Sequence, residues 1–448
     1  MISKRILSIL AAILLCVVAL VVIYNLPPVH QRLAWRVENL RTQVRYALNP
    51  PDEAVFVPQE STPVPAAPAT ETSIPTPSPA TATLTGPTPT QEPSPTPTLT
   101  ATPLPEKVTL DGVVYVDQHN RWNYCGPANL TMALNFWGWE GDRDDVAAVV
   151  KPGIEDPDLD YIQRGKLDKN VMPYEMLDFV RDYTDYNIVV RSGGDLDLVK
   201  NLVANGFPVL IEKGYYEADY TGKIAWLGHY LFVTGYDETQ NAFIVQDAYL
   251  KPGQDMLSDY ESFTDGWRSF NNLFMVIYPP EQEAEVFSIL GPWADPSWAD
   301  QHALDTAVAE SEQLTGIDQF FAWFNQGTSL VNLQRYGEAA GAYDRAFQLY
   351  SQLGSDDTQR PYRIMWYQTG PYWAYFYTGR YQDTINLAET TLYETISEPT
   401  LEESLYWRGQ ASLALGQTEN ALADFRESVR LNPNFTPGIQ MLIQLGAY

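Results

Sequence analysis

The chain has 448 residues, 45% of them hydrophobic and 19% charged, too many for one ordinary core, so two or three folded units are expected. Its formal charge is −28, and beyond position 106 there are 22 Lys and Arg against 49 Asp and Glu, a surface that repels DNA, RNA and anionic lipid. Two cysteines, Cys16 and Cys125, and four histidines, His30, His119, His229 and His302, exclude a thiolate zinc cluster and a disulfide framework.

Residues 6–24 form a run of 19 residues without a charge, broken only by Ser8 and preceded by Lys4 and Arg5. That is long enough to span a bilayer as one helix, and no small-residue cleavage site follows it, so it reads as an uncleaved transmembrane anchor (1–27). Val29, Leu33, Val37, Leu40 and Val44 then recur at helical spacing between Arg32, Arg36, Arg41 and Arg45, describing a basic amphipathic juxtamembrane segment (28–57) suited to a lipid surface. Residues 58–105 hold 14 Pro and 13 Thr with no Lys, Arg or aromatic residue, a composition that buries too little apolar surface to fold. It reads as a disordered stalk (58–106) reaching on the order of 150 Å. Its resemblance to exported Thr/Pro stalks favours a single-pass membrane protein with its carboxyl-terminal units extracellular.

Beyond the stalk, Val113, Tyr115 and Val116 read as a short strand, followed by a polar loop and then a helix whose face is marked by Leu130, Ala133, Leu134 and Trp137. Cys125 falls at the amino end of that helix, with Pro127 in its first turn. Backbone N–H groups and the macrodipole at a helix start favour an anion, so this thiol should ionise more readily than a free one of pKa about 8.5.

A thiolate nucleophile needs a base. His229 begins a strand over 230–236, which a polar turn joins to a second strand over 242–246, closed by Asp247. A turn with an odd number of residues puts His229 and Asp247 on one face, where the carboxylate can orient the imidazole. An even-membered turn points Asp247 the other way. His119 is nearer Cys125 in sequence but has no acid fixed against it, and His302 has no assigned role. For an oxyanion, the Cys125 backbone N–H and the Gln118 side-chain amide are candidate donors, with Asn120 and Asn123 as substitutes.

The run 117–139, with Gln118, Cys125, Gly126, Pro127, Ala128, Leu130, Met132, Phe136, Trp137 and Gly138, resembles the opening motif of the C39-like cysteine peptidases, papain-fold relatives of the bacteriocin-leader peptidases. The segment 205–211 is similar to the strand before that family's histidine, and His229 in GHYLFVTGYD and Asp247 in IVQDAY match its histidine and aspartate motifs. The resemblance implies an α+β papain-like domain (107–281) with Cys125 as nucleophile, His229 as base, Asp247 as orienting acid and Gln118 as oxyanion donor. No GxxxxGK[ST] loop occurs, so an exporter with a leader-processing domain is excluded.

A Trp-rich connector (282–318) is expected to dock this unit onto a helical one. From residue 319 the spacing of Trp323, Gly327, Leu330, Tyr336, Ala339, Tyr343 and Ala346 fits an all-α tetratricopeptide-like repeat domain (319–448). Gly409, Ala421 and Phe425 repeat that pattern 82 residues on, and a degenerate copy around Tyr372, Trp373 and Gly379 lies between. The sequence thus describes a membrane-anchored cysteine peptidase acting on a peptide or protein substrate, with repeats that offer a site for a protein partner. It needs no metal or organic cofactor and takes no nucleic acid. A papain-fold acyltransferase or crosslinking enzyme and a catalytically idle adaptor are the other readings of the same residues.

Overall fold

The computed structural model describes residues 56–59, 103–121, 123–152, 169–218, 224–353, 360–394 and 401–448. The expected anchor, and the juxtamembrane and stalk segments apart from 56–59 and 103–106, lie outside these residues. Among the described residues no helix is long and apolar enough to cross a membrane.

The first unit is a mixed-layer α+β domain. In chain order it contains β1 (Lys107–Thr109), α1 (Cys125–Phe136), α2 (Arg143–Val150), α3 (Pro173–Tyr183), β2 (Asn187–Arg191), α4 (Leu196–Ala204), β3 (Val209–Ala218), β4 (Ile224–Asp237), β5 (Ala242–Gln246), β6 (Met256–Asp259), α5 (Tyr260–Arg268) and β7 (Phe274–Tyr278). The strands pair antiparallel in the order β2-β7-β3-β4-β5-β6, with β1 added to β4. Side chains alternate across this sheet with period two. Leu210 packs with Leu130, Leu134 and Met176 on the α1–α3 face, while its neighbours Val209 and Ile211 pack with Val199, Leu202 and Trp267 on the face of α4 and α5.

Helix α1 departs from the expected one-sided pattern: every residue from Gly126 to Leu134 is buried. It lies between the sheet and the pair α2 and α3, so both of its sides face protein, and its apolar stripe widens to the whole surface. The expected strand at 113–116 is absent. The edge of β4 is taken by β1 instead, and Val113, Tyr115 and Val116 pack onto the α1 layer without pairing.

The connector forms α6 (Glu283–Leu290), a 3₁₀ turn (Gly291–Ala294) and α7 (Pro296–Gln313). Trp293 Nε1 donates to the Gly193 carbonyl at 2.9 Å, and Arg191 Nε donates to the Trp293 carbonyl at 3.0 Å, tying this segment to the end of β2. His302 is stacked on Trp298, with ring centroids 4.8 Å apart.

The helical region comprises α8 (Gly316–Asn332), α9 (Tyr336–Gln352), α10 (Gly370–Tyr377), α11 (Tyr381–Glu389), α12 (Glu402–Ala414), α13 (Thr418–Leu431) and α14 (Thr436–Gln444). A Cβ on Gly327 would lie 2.5 Å from the Tyr343 ring, and one on Gly409 would lie 2.7 Å from the Phe425 ring. The glycine and aromatic residue spaced alike in both copies therefore mark where paired helices come closest.

The two units share their cores. Trp226 of β4 lies in the repeat core, its ring centroid 5.5 Å from Phe270, 5.6 Å from Phe321 and 5.7 Å from Tyr367. Asn271 Nδ2 donates to Ser329 Oγ at 2.9 Å, and Gln368 Nε2 donates to the Ser269 carbonyl at 2.7 Å. Lys169, 4% exposed along its side chain, pairs with fully buried Glu402 at 2.9 Å and also with Glu175. Docking therefore runs directly between the sheet and the repeats as well as through the connector.

Residues 56–59, expected to lead into a free stalk, lie against the repeats. Phe56 is buried with its ring 5.0 Å from that of Phe347, and the Gln59 N–H donates to Asp383 Oδ1 at 3.0 Å. At the other end, Tyr236 donates to the Pro105 carbonyl at 2.8 Å. The described residues at the two ends of the Pro/Thr run, 56–59 and 103–105, thus both lie on the folded body.

Candidate active site

Cys125 opens α1, where its own N–H and that of Gly126 precede the first helical bond, from the Ala128 N–H to the Tyr124 carbonyl at 2.9 Å. The side chain is half-buried and in hydrogen-bond contact with the His229 ring, and the Tyr230 N–H is directed at the sulfur. Burial opposes ionisation of the thiol, but the bond to His229, the charge of His229, the Tyr230 N–H and the more distant Lys151 outweigh it and hold the thiol below its ordinary value.

His229 is 5% exposed and lies between the rings of Tyr215 and Tyr249. Its Nε2 donates to Asp247 Oδ1 at 3.0 Å, which leaves Nδ1 for the sulfur. Burial favours the neutral ring, yet Asp247 and the sulfur together push the imidazolium pKa up to about 10. Asp247 is buried too, which by itself raises a carboxyl. The charge of His229, its hydrogen bond and the N–H groups of Tyr249 (2.8 Å) and Leu250 (3.1 Å) reverse this and keep the carboxylate below its usual range. A sulfur lowered beside an imidazole raised favours a thiolate–imidazolium pair, with the carboxylate steadying the ring.

The hairpin that carries the pair solves the parity question in an unexpected way. Asp237 pairs with Ala242, leaving the four residues 238–241 in the turn, an even number. Between Val233 and Gly235 the register slips by one, because Thr234 forms a bulge. Beyond it Phe232 faces Gln246, so continuing the register sets Asp247 opposite Leu231, on the face that His229 shares. Buried Gln246 holds the bulge, its Nε2 donating to Thr234 Oγ1 at 2.9 Å and to Asp255 Oδ1 at 2.7 Å.

Gln118 joins this region through its backbone: its N–H donates to the Ala248 carbonyl at 2.8 Å, one residue past Asp247. Its side-chain Oε1 is buried without a hydrogen-bond partner. Asn120 and Asn123 both adopt left-handed backbone conformations in the loop leading to Cys125, and Asn120 is exposed. His119, contrary to expectation, does have an acid beside it, with Nδ1 3.4 Å from Asp117 Oδ2. Its Nε2 donates to the Tyr249 carbonyl at 2.9 Å, so the ring ties two loops together.

Three contributors escape a reading of the sequence. Asn129, fully buried in α1, donates through Nδ2 to the Cys125 carbonyl at 2.9 Å and to the Tyr230 carbonyl at 3.0 Å, fastening the helix start to the strand of His229. Its position one turn after Cys125 was the available signal. Glu212 of β3 sits opposite Tyr230, 2% exposed. Burial first, and then the negative sulfur, raise its carboxyl well above the usual range. Tyr367 comes from the repeat region, 138 residues after His229, and accepts the Gly228 N–H. A Cβ on Gly228 would lie 2.7 Å from the Tyr367 ring, so glycine beside the histidine makes room for the repeats.

Residues 110–275 match the family model described as Peptidase_C39 like family, and residues 402–435 match that of the tetratricopeptide repeat. Among solved structures, the chain is similar to a Bacillus anthracis protein described as a C39-like peptidase, with 17% identity, 38% of this chain and 97% of that one covered, and a TM-score of 0.31. It is also similar to xylellain, a cysteine protease from Xylella fastidiosa, with 18% identity, coverage of 39% and 86%, and a TM-score of 0.27. No curated protein matches the chain. The match to the C39-like peptidase family thus falls on the α+β domain, and the match to the tetratricopeptide repeat falls within the all-helical region that follows it.

Proposed function

We propose that the chain hydrolyses peptide bonds with Cys125 as nucleophile, His229 as general base and acid, and Asp247 as the residue that orients the imidazole. The observation that carries this reading is the continuous contact from the Cys125 sulfur through the His229 ring to Asp247 Oδ1. The thiolate attacks the amide carbon, and the Cys125 N–H, with the Gln118 amide, meets the oxyanion. The imidazolium gives its proton to the leaving amine as the C–N bond breaks, leaving a thioester. Neutral His229 then takes a proton from water, whose oxygen displaces the sulfur and releases the acid.

In the same proposal residues 6–24 anchor the chain in a membrane, and the Thr/Pro composition of 58–105 places the folded units outside. The repeats serve substrate or partner binding. The test is incubation of the full-length chain and its Cys125→Ala variant with a diverse peptide library, followed by mass analysis. Cleavage by the first alone supports the reading, whereas equal cleavage by both removes Cys125 as nucleophile.

A further inference from the structure

A cavity of about 420 Å³ lies where the peptidase domain meets the repeats. Glu212 lines it from the peptidase side, and Tyr336, Tyr367, Gln368 and Trp373 line it from the helical side. Glu212 sits opposite Tyr230 and the Tyr367 ring lies against Gly228, the two neighbours of His229 in β4, so the cavity lies beside the strand that carries the histidine. Glu212 is 2% exposed, and among the described residues no lysine or arginine forms an ion pair with it.

A carboxyl buried in this way is costly: burial and the nearby sulfur raise it well above the usual range, and the Tyr230 hydroxyl and the charge of His229 offset this only in part. A cation would relieve that cost. The aromatic walls favour the same guest, since Tyr and Trp faces attract a Lys ammonium or an Arg guanidinium. The amide of Gln368 adds a carbonyl acceptor for its N–H groups. The space admits a long side chain, and the acidic balance of the chain attracts basic peptides to it.

Building on the peptidase reading, we propose that this cavity is a substrate subsite for a basic side chain, arginine or lysine, with Glu212 as its acidic wall and the repeats as its aromatic one. The repeat region is then part of the substrate cleft as well as a module attached to it.

The test uses the full-length Cys125→Ala chain, so that binding is read without turnover. Otherwise identical peptides carry Arg, Lys or neutral citrulline at each scanned position, and affinities are measured by fluorescence anisotropy. At one position the Arg or Lys peptide should bind about 10- to 100-fold more tightly than its citrulline counterpart, the range of a charge-assisted buried bond. Which of the two is favoured identifies the side chain. Adding Glu212→Gln should bring that ratio close to one. Trp373→Ala, at a position 38% exposed and so tolerant of change, should cut the advantage about 2- to 5-fold. The absence of any basic preference, or a preference that survives Glu212→Gln and Trp373→Ala, overturns the subsite.

The two readings fail separately. Glu212-dependent binding without cleavage by the unmutated chain keeps the subsite and removes the peptidase. Cleavage with no basic preference does the reverse.

Discussion

Asn129 offers a sharp test of how the site is assembled, because one buried amide holds two backbone carbonyls, that of Cys125 at 2.9 Å and that of Tyr230 at 3.0 Å. Its own Oδ1 has no partner, so all of its polar bonding is through the donor Nδ2. Asn129→Ala deletes both bonds and leaves carbonyls without this donor. At roughly 1 kcal/mol for each bond, plus part of the penalty for a buried unsatisfied group, the loss is about 2–4 kcal/mol. Asn129→Asp keeps the shape but aims an oxygen at the carbonyls and puts a charge in a buried place, so it should be worse than alanine unless protonated. Urea unfolding gives the stability, and alkylation of Cys125 at pH 6 reports whether the sulfur still meets the imidazole. Both variants should lose reactivity towards that of an ordinary thiol, with aspartate the less stable. If both stay within about 0.5 kcal/mol of the parent and alkylate like it, the clamp is not what joins helix to strand.

The hairpin and the docking surface give further expected outcomes. Deleting Thr234 removes the bulge and turns Asp247 to the opposite face. Activity should fall by about 10²-fold or more, whereas Thr234→Ala, which keeps the bulge and loses mainly the 2.9 Å bond from Gln246, should cost about 1 kcal/mol and leave thiol reactivity intact. Lys169→Met strips buried Glu402 and Glu175 of their cation and should destabilise the chain by about 3–5 kcal/mol in chemical unfolding. In the same cluster, which also holds Tyr174, burial raises the Glu175 carboxyl to about 7 and, with the charge of Glu402, the Glu403 carboxyl to about 8. The folded state therefore binds these protons more tightly than the unfolded chain, whose glutamates titrate near about 4.3. Their contribution is fully present below that value and is lost as pH rises through 7 to 8. Melting temperature should fall across that window, and Glu403→Gln should flatten the fall.

The α+β domain, the helical region after it, the helix that Cys125 opens and the hairpin that carries His229 and Asp247 were legible because they rest on local patterns: a thiol before a first-turn proline, and alternating apolar residues either side of a polar turn. The parity of that hairpin was not, since a four-residue turn alone gives the wrong face and the compensating bulge depends on Gln246 and Asp255 meeting Thr234. The strand expected at 113–116 failed for a related reason: alternation reports two-sided surroundings, and packing on α1 supplies these as well as pairing does. Glu212 and Tyr367 line one cavity although 155 residues separate them, a juxtaposition that no window of sequence displays. Phe56 was hidden by its neighbours, an isolated aromatic at the edge of a Pro/Thr run whose partners, Phe347 and Tyr375, lie in the repeats.

The central claim is that Cys125 is an anion because His229 is a cation. The most direct measurement is the rate of iodoacetamide alkylation of Cys125 against pH, localised by peptide mass so that Cys16 does not interfere, in the full-length chain and in His229→Ala. The unmutated chain should begin to react at lower pH than the variant, whose onset should move up towards the ordinary thiol range of about 8.5. Superimposable curves that both rise only near that value would contradict the account.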